Sequence, residues 1–303
     1  VLSRFHAPRG SNWIHLFAVL AALGVMTGCH AGFHTGYAAY EREKYDKAAE
    51  KLEPLAERGH ARSQFLLGLM HDRGHGVERD LERAAHWYEQ AATQGFAPAQ
   101  TNLGVLLQTG AVDEPAPERA AGWYEQAAAQ GHAAARHNLA MLLLTGRGME
   151  VDRDRARTLL QRAARDGDAN AQYLYGSMLA EDVEPMQSAK AADADLDETA
   201  ERRAARWYEK AAEQGHAPAQ FALAVLYDTG RGVRPDYEKA VELYTLAAEA
   251  GHAPAQHNLA LMYAAGRGVE PDLDLARVWY RRYQSGSHDA TKDETTITAV
   301  PTP

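Results

Sequence analysis

The chain is 303 residues long, 46% hydrophobic and 24% charged, with a mean hydropathy of −0.47 and a formal net charge of −9. That length suits one or two domains. An Ala-rich composition favours helix over sheet, and the acidic balance excludes the basic stripe of a nucleic-acid binder. The single cysteine, Cys29, excludes an intramolecular disulfide, so packing alone must hold the fold.

The N-terminal stretch has the parts of an export signal: Arg4 and Arg9, an apolar run from Ile14 to Met26, and small residues before Cys29. The run is shorter than the roughly 20 apolar residues that span a bilayer. Met26-Thr27-Gly28-Cys29 resembles the lipobox of bacterial lipoproteins. That resemblance implies removal of residues 1–28 and lipid attachment at Cys29. With His30 next, it also implies an outer-membrane lipoprotein facing the periplasm. Three acyl chains hold firmly where one binds only marginally. An ordinary cleaved signal, leaving a periplasmic or secreted protein, is the plainer alternative. Residues 29–37 read as a tether.

A repeat follows. Gly59, Gly95, Gly131 and Gly167 are spaced by 36 residues, Gly215 comes after 48, and Gly251 after 36 more. Flanking text recurs with them, as in AAHWYEQAATQGFAPAQ and AARWYEKAAEQGHAPAQ. Such a period marks a tandem array. Each unit reads as an A helix containing Gln-x-x-Leu-Gly, a Thr-Gly-Arg-Gly-Val loop, and a B helix such as Asp80 to Ala92. Ala84, Trp87, Tyr88, Ala91 and Ala92 fall on one helical face. The spacing predicts that the Trp-Tyr pair fills the gap between layers, and that Gly68, Gly104 and Gly176 lie where a B helix crosses. Gly59 and its equivalents should end B helices in a left-handed cap. Asp80, Asp152, Asp236 and Asp272 should cap B-helix N-termini, and Pro98, Pro218 and Pro254 suit the first turn of an A helix.

Three departures stand out. The second repeat has Gly110-Ala111-Val112-Asp113-Glu114-Pro115, losing one loop glycine and the capping Asp. The third has Leu159-Leu160 for Trp-Tyr. The fourth carries an acidic insertion at about 181–200, read as a tolerated surface loop or a partner contact. The array is expected over 38–283, opening with a B-type helix at 38–58 and closing with one at 273–284. The tail 284–303 has too few large apolar residues to fold.

The motifs A-x-x-WY-x-x-AA-x-x-G-x-A-x-A-Q-x-x-L-G and T-G-x-G-V-x-x-D resemble the Sel1-like repeats, relatives of the tetratricopeptide repeats. The resemblance implies an all-α, right-handed α-α superhelix, a solenoid of about six helix-turn-helix repeats. It also implies that A helices line a concave face. The residue after each Gln would then point into that groove: Phe65, Thr101, His137, Tyr173, Phe221 and His257. Two readings stay open. The rings form a ladder for a protein or extended peptide, or they pack between layers.

No nucleophile–base set, G-x-S-x-G or Walker loop is present, so no catalytic residue and no cofactor are assigned. The recurring Gly-Arg-Gly reads as a structural loop. His60, His132, His216 and His252 follow the repeat glycine about one repeat apart, too far for zinc ligands that must meet within about 2 Å of one point. They read as capping or packing residues, with no metal assigned. Related repeats with paired cysteines have proposed antibiotic-binding activity; this chain lacks the pairs. The function expected is a membrane-anchored periplasmic scaffold for protein–protein interactions, in envelope or exopolysaccharide export assembly. The rivals are a cell-wall ligand-binding or hydrolytic protein and a secreted host-interaction factor.

Overall fold

The computed structural model describes residues 32–181 and 199–289. Among these residues the regular structure is helical, with no strand, and the expected all-α solenoid of paired helices is the fold observed. The export signal, Cys29 and most of the insertion lie outside the described residues. Two compact units divide between Pro115 and Ala116. That point falls in the loop of the second repeat, where Val112 replaces a loop glycine and Ala116 stands where other repeats carry the capping Asp.

The first unit contains α1 (residues 32–41), α2 (Tyr45–Glu57), α3 (Ala61–Arg73), α4 (Leu81–Thr93) and α5 (Ala97–Thr109). The second contains α6 (Pro117–Ala129), α7 (Ala133–Thr145), α8 (Arg153–Arg165), α9 (Ala169–Glu181) and α10 (Ala200–Glu213). It continues with α11 (Ala217–Thr229), α12 (Tyr237–Glu249), α13 (Ala253–Ala265) and α14 (Leu273–Asp289). Odd numbers are A helices and even numbers B helices.

The helix expected at 38–58 is two helices. The chain breaks at 42–44, where Glu43 takes a left-handed φ of 56°. Residues 32–37, read as tether, belong to α1. This helix is an A helix in all but its loop. A Cβ on Gly36 would lie 2.8 Å from Leu52, as one on Gly68 would lie 2.6 Å from Tyr88. Phe33 and Gly36 are spaced as Phe65 and Gly68 are, but the glycine loop that marks the other repeats is missing. At the other end, α14 runs to Asp289, beyond the expected stop near 283.

Helix boundaries follow residue chemistry. Asp80, Asp152, Asp236 and Asp272 accept from the backbone N–H groups of Arg83, Arg155, Lys239 and Leu275 at 2.8–3.0 Å. Gly59, Gly95, Gly131, Gly167, Gly215 and Gly251 all have φ between 79° and 98°. Around Gly59, the Gly59 N–H donates to Ala56 O and the His60 N–H to Leu55 O, the paired bonds of a Schellman end.

The core is the expected stripe. Tyr88, Tyr124 and Tyr244 are fully buried among alanines, and Leu160 takes the same place in the third repeat. The tyrosine rather than the Trp-Tyr pair fills the gap between layers. Trp87, Trp123 and Trp207 sit at the flank of the stripe and stay half-buried. The predicted crossings at Gly68 and Gly176 are present, with Tyr88 and Tyr208 packed on them.

Candidate functional site

The residues singled out for a groove lie at the N-terminal ends of A helices, so what fixes those ends decides what they can do. His60, His216 and His252 are N-cap residues. Their Nδ1 atoms accept from the backbone N–H groups of Ser63, Ala219 and Ala255 at 3.2–3.3 Å. Asp168 caps α9 the same way, accepting from the Ala171 N–H at 2.7 Å. A ring nitrogen that accepts must be unprotonated. Burial agrees with this, pushing His132, His216 and His252 below the usual imidazole value; the nearby Asp168 carboxylate partly offsets it at His132 and His216. Three of the four histidines of the row are therefore caps, and His132 holds the same position on α7 without a side-chain cap bond. Among the described residues no three His, Cys, Asp or Glu side chains are grouped to hold a metal.

The repeat glutamine is the second anchor. Gln64, Gln100, Gln172, Gln220 and Gln256 are buried, and each donates from Nε2 to a carbonyl eight residues back, on Ala56, Ala92, Ala164, Ala212 and Ala248. This locks the first turn of the A helix onto the end of the preceding B helix. The next residue is held in one direction as a result. In the layers built on α3 and α9 the glutamine also accepts from the residue thirty repeat positions on: Gln94 Nε2 reaches Gln64 Oε1 at 2.7 Å, and Gln214 Nε2 reaches Gln172 Oε1 at 2.8 Å. The third repeat substitutes both partners, pairing Arg136 with Asp166.

The six ladder residues then divide. Phe65, Thr101 and His137 are buried, at 5%, 0% and 5% exposure. Phe65 packs on Tyr88 at 5.9 Å and Phe96 at 5.3 Å, Thr101 Oγ1 donates to Ala97 O at 2.9 Å, and burial lowers the pKa of His137. Tyr173, Phe221 and His257 are half-buried. Tyr173 and Phe221 rest against the caps His216 and His252, at 5.1 and 4.7 Å, and His257 against Tyr283 at 5.0 Å. The rings lie between layers, and three of them keep an open edge.

Beside those edges lie residues that sequence reasoning passed over, one turn along: Ser177, Val225 and Leu261, half-buried or exposed. Their signal was the four-residue spacing from the ring positions. The helices presenting this strip are almost free of charge. α13 carries no Asp, Glu, Lys or Arg, and α9 and α11 carry only Glu181 and Asp228. The B helix α8, by contrast, carries Arg153, Asp154, Arg155, Arg157, Arg162 and Arg165. The geometry offers an uncharged, aromatic-edged strip across α9, α11 and α13.

The loop glycines are filled by protein rather than ligand. Gly148 has φ 73°, and a Cβ there would lie 2.5 Å from the Pro117 backbone. Gly76 and Gly232 lie as close to the first turns of α2 and α10.

The Sel1 repeat model matches residues 61–96, 97–132, 133–168, 199–216, 217–252 and 253–282. The chain belongs to the Sel1 repeat family. Its pair α1–α2 lies outside the matched residues. No curated protein matches the chain. Among solved structures, it is similar to a Sel1 repeat protein from Oxalobacter formigenes, with a TM-score of 0.71 at 29% identity over 88% of this chain and 99% of that one. It also shares the fold of c5321, a protective antigen of uropathogenic Escherichia coli, with a TM-score of 0.73 at 24% identity over 91% of this chain. It spans 66% of that protein's length. Sel1 repeats serve as protein–protein interaction scaffolds, and that general role holds for this member.

Proposed function

We propose that this Sel1 repeat protein is a non-catalytic adaptor, and that the strip across α9, α11 and α13 binds an uncharged extended segment of a protein partner. The observation that carries this is the open edge of Tyr173, Phe221 and His257 beside Ser177, Val225 and Leu261 on helices nearly free of charge. Such a surface gains from burying apolar area and gives nothing to a charged ligand. We further propose that a lipid on Cys29 holds the protein at the outer membrane, facing the periplasm. There it would organise an envelope or exopolysaccharide export assembly. The support is the basic, short apolar and small-residue succession that ends at the only cysteine.

The test is crosslinking in cells with a photoreactive residue at Val225. A defined envelope protein should be captured by the parent chain. Capture should fall at least tenfold in Tyr173→Ala/Phe221→Ala with helicity unchanged, and Cys29→Ala should lose both palmitate labelling and the capture. Equal capture by the aromatic variant would remove the strip from the proposal, and palmitate-free parent protein would remove the anchor.

A further inference from the structure

Apart from Val151, the large apolar side chains exposed among the described residues gather toward one end of the second unit: Tyr237, Leu246, Leu261, Leu273, Val278 and Tyr280. Three of the positions around them have counterparts one layer earlier whose occupant is visible. There α13 and its loop sit on α11 and α12. Asn258 donates to the Tyr244 hydroxyl at 3.0 Å, Arg267 pairs with Asp228 and lies 4.7 Å over the Tyr237 ring, and Gly268 rests on Tyr237. Advance by 36 residues, and Tyr244, Tyr237 and Asp228 become Tyr280, Leu273 and Ala264. These three, with Leu261 and Ala276, line a cleft of about 430 Å³. Tyr244 is 0% exposed, whereas Tyr280 is 45% exposed and Leu273 61%. The cleft is a copy of the socket that α13 fills, and no helix among the described residues occupies it.

The copy also differs at its rim. Val241 and Thr245 of the filled socket become Arg277 and Arg281. Arg281 has only the Arg277 carbonyl as a partner among the described residues, at 3.3 Å, and Arg277 meets an exposed Asp274 at 3.1 Å. The A helices α3 to α13 do not complement such a rim. α5, α7 and α13 have no acidic side chain, Asp72 of α3 accepts from the Tyr88 hydroxyl, and Glu181 of α9 and Asp228 of α11 are already paired. We propose that the cleft between α13 and α14 is a docking site for one amphipathic helix of another protein, apolar toward Leu261, Leu273 and Tyr280 and bearing carboxylates beside Arg277 and Arg281. The cleft adjoins the strip assigned above and shares Leu261 with it, but Leu273, Tyr280, Arg277 and Arg281 belong to the cleft alone.

The probe is a lactam-bridged helical peptide with a Leu/Ala stripe flanked by four glutamates, compared with its lysine counterpart. Affinity for the full chain is read by fluorescence anisotropy at low salt. The glutamate peptide should bind at least tenfold tighter than the lysine peptide. Leu273→Asp should abolish binding and Arg277→Glu/Arg281→Glu should reverse the preference, both with unchanged circular dichroism. Equal affinity for the two peptides, or none for either, overturns the proposal. So does a concentration-dependent dimer abolished by Leu273→Asp, which gives the cleft to a second copy. Binding only after deletion of residues 290–303 gives it to the chain's own tail.

Discussion

Two kinds of glycine differ in what they forbid, and the difference can be measured. Gly167 has φ 98° with nothing within 4 Å of a built Cβ, so Gly167→Ala meets only the backbone penalty, about 1–2 kcal/mol. Gly148 has φ 73° and also touches the first turn of α6. Gly148→Ala should therefore cost more, about 3 kcal/mol or above once the loop must shift. Urea denaturation of both variants checks the order, and equal losses would show that the close approach relaxes freely. A gain is also expected. Gln220 Oε1 is buried without a hydrogen-bond partner, and the position that serves Gln64 and Gln172 is occupied by Ala250. Ala250→Gln should complete the pair and stabilise the chain by about 1 kcal/mol. An unchanged denaturation midpoint would count against that reading.

Caps set the pH response of the A helices. An imidazole that accepts a backbone N–H is needed neutral, and burial depresses the folded pKa of the caps His216 and His252 below the ordinary value, as it does that of His132, which stands at the same position without a cap bond. The unfolded chain therefore binds more protons than the folded chain in that range. By linkage, stability is fully present above about pH 6.5. It declines as pH falls from there through the lowered folded values. Thermal melts at pH 7.5 and pH 5 should show the loss. His252→Asn, which caps without titrating, should match the parent at pH 7.5 and lose less at pH 5. A parent-sized loss in that variant would sever the caps from the acid response.

The same elements show what the sequence made legible. Gly59, Asp80 and Gly68 were readable because one stereochemical or steric demand acts on one residue. The caps at His60, His216 and His252 were only half-readable, since imidazole packs and caps equally well on paper. The helix α1 was missed because its connection to α2 lacks the two glycines that announce the turns at 74/76, 146/148, 230/232 and 266/268. The ladder was legible as a set of ring positions but not as an open surface. Exposure depends on what the next layer places over each ring: Phe96 buries Phe65, while His216 leaves an edge of Tyr173 free.

At the scale of the whole molecule, each of the two units is held by bonds between its own neighbouring helices. Gln94 to Gln64 and Gln214 to Gln172 tie the two helices of one layer together, and Arg155 to Glu125, His216 to Asn170 and Arg267 to Asp228 join successive layers of the second unit. Stability in such a stack is close to a sum of unit and nearest-neighbour terms. A local lesson follows for Tyr208, which is 6% exposed, packs on Gly176 and donates from its hydroxyl to Ser177 at 3.2 Å. Truncating a buried ring of this size costs roughly 3–5 kcal/mol. In a stack of this kind that cost is confined to the layers that touch it. Hydrogen exchange of Tyr208→Ala should show protection lost across α9, α10 and α11, while α3 and α4 exchange as in the parent. Uniform loss along the whole chain would mean that the repeats unfold as one cooperative body. The additive description, and with it the reading of each repeat as a separately tuned layer, would then have to be abandoned.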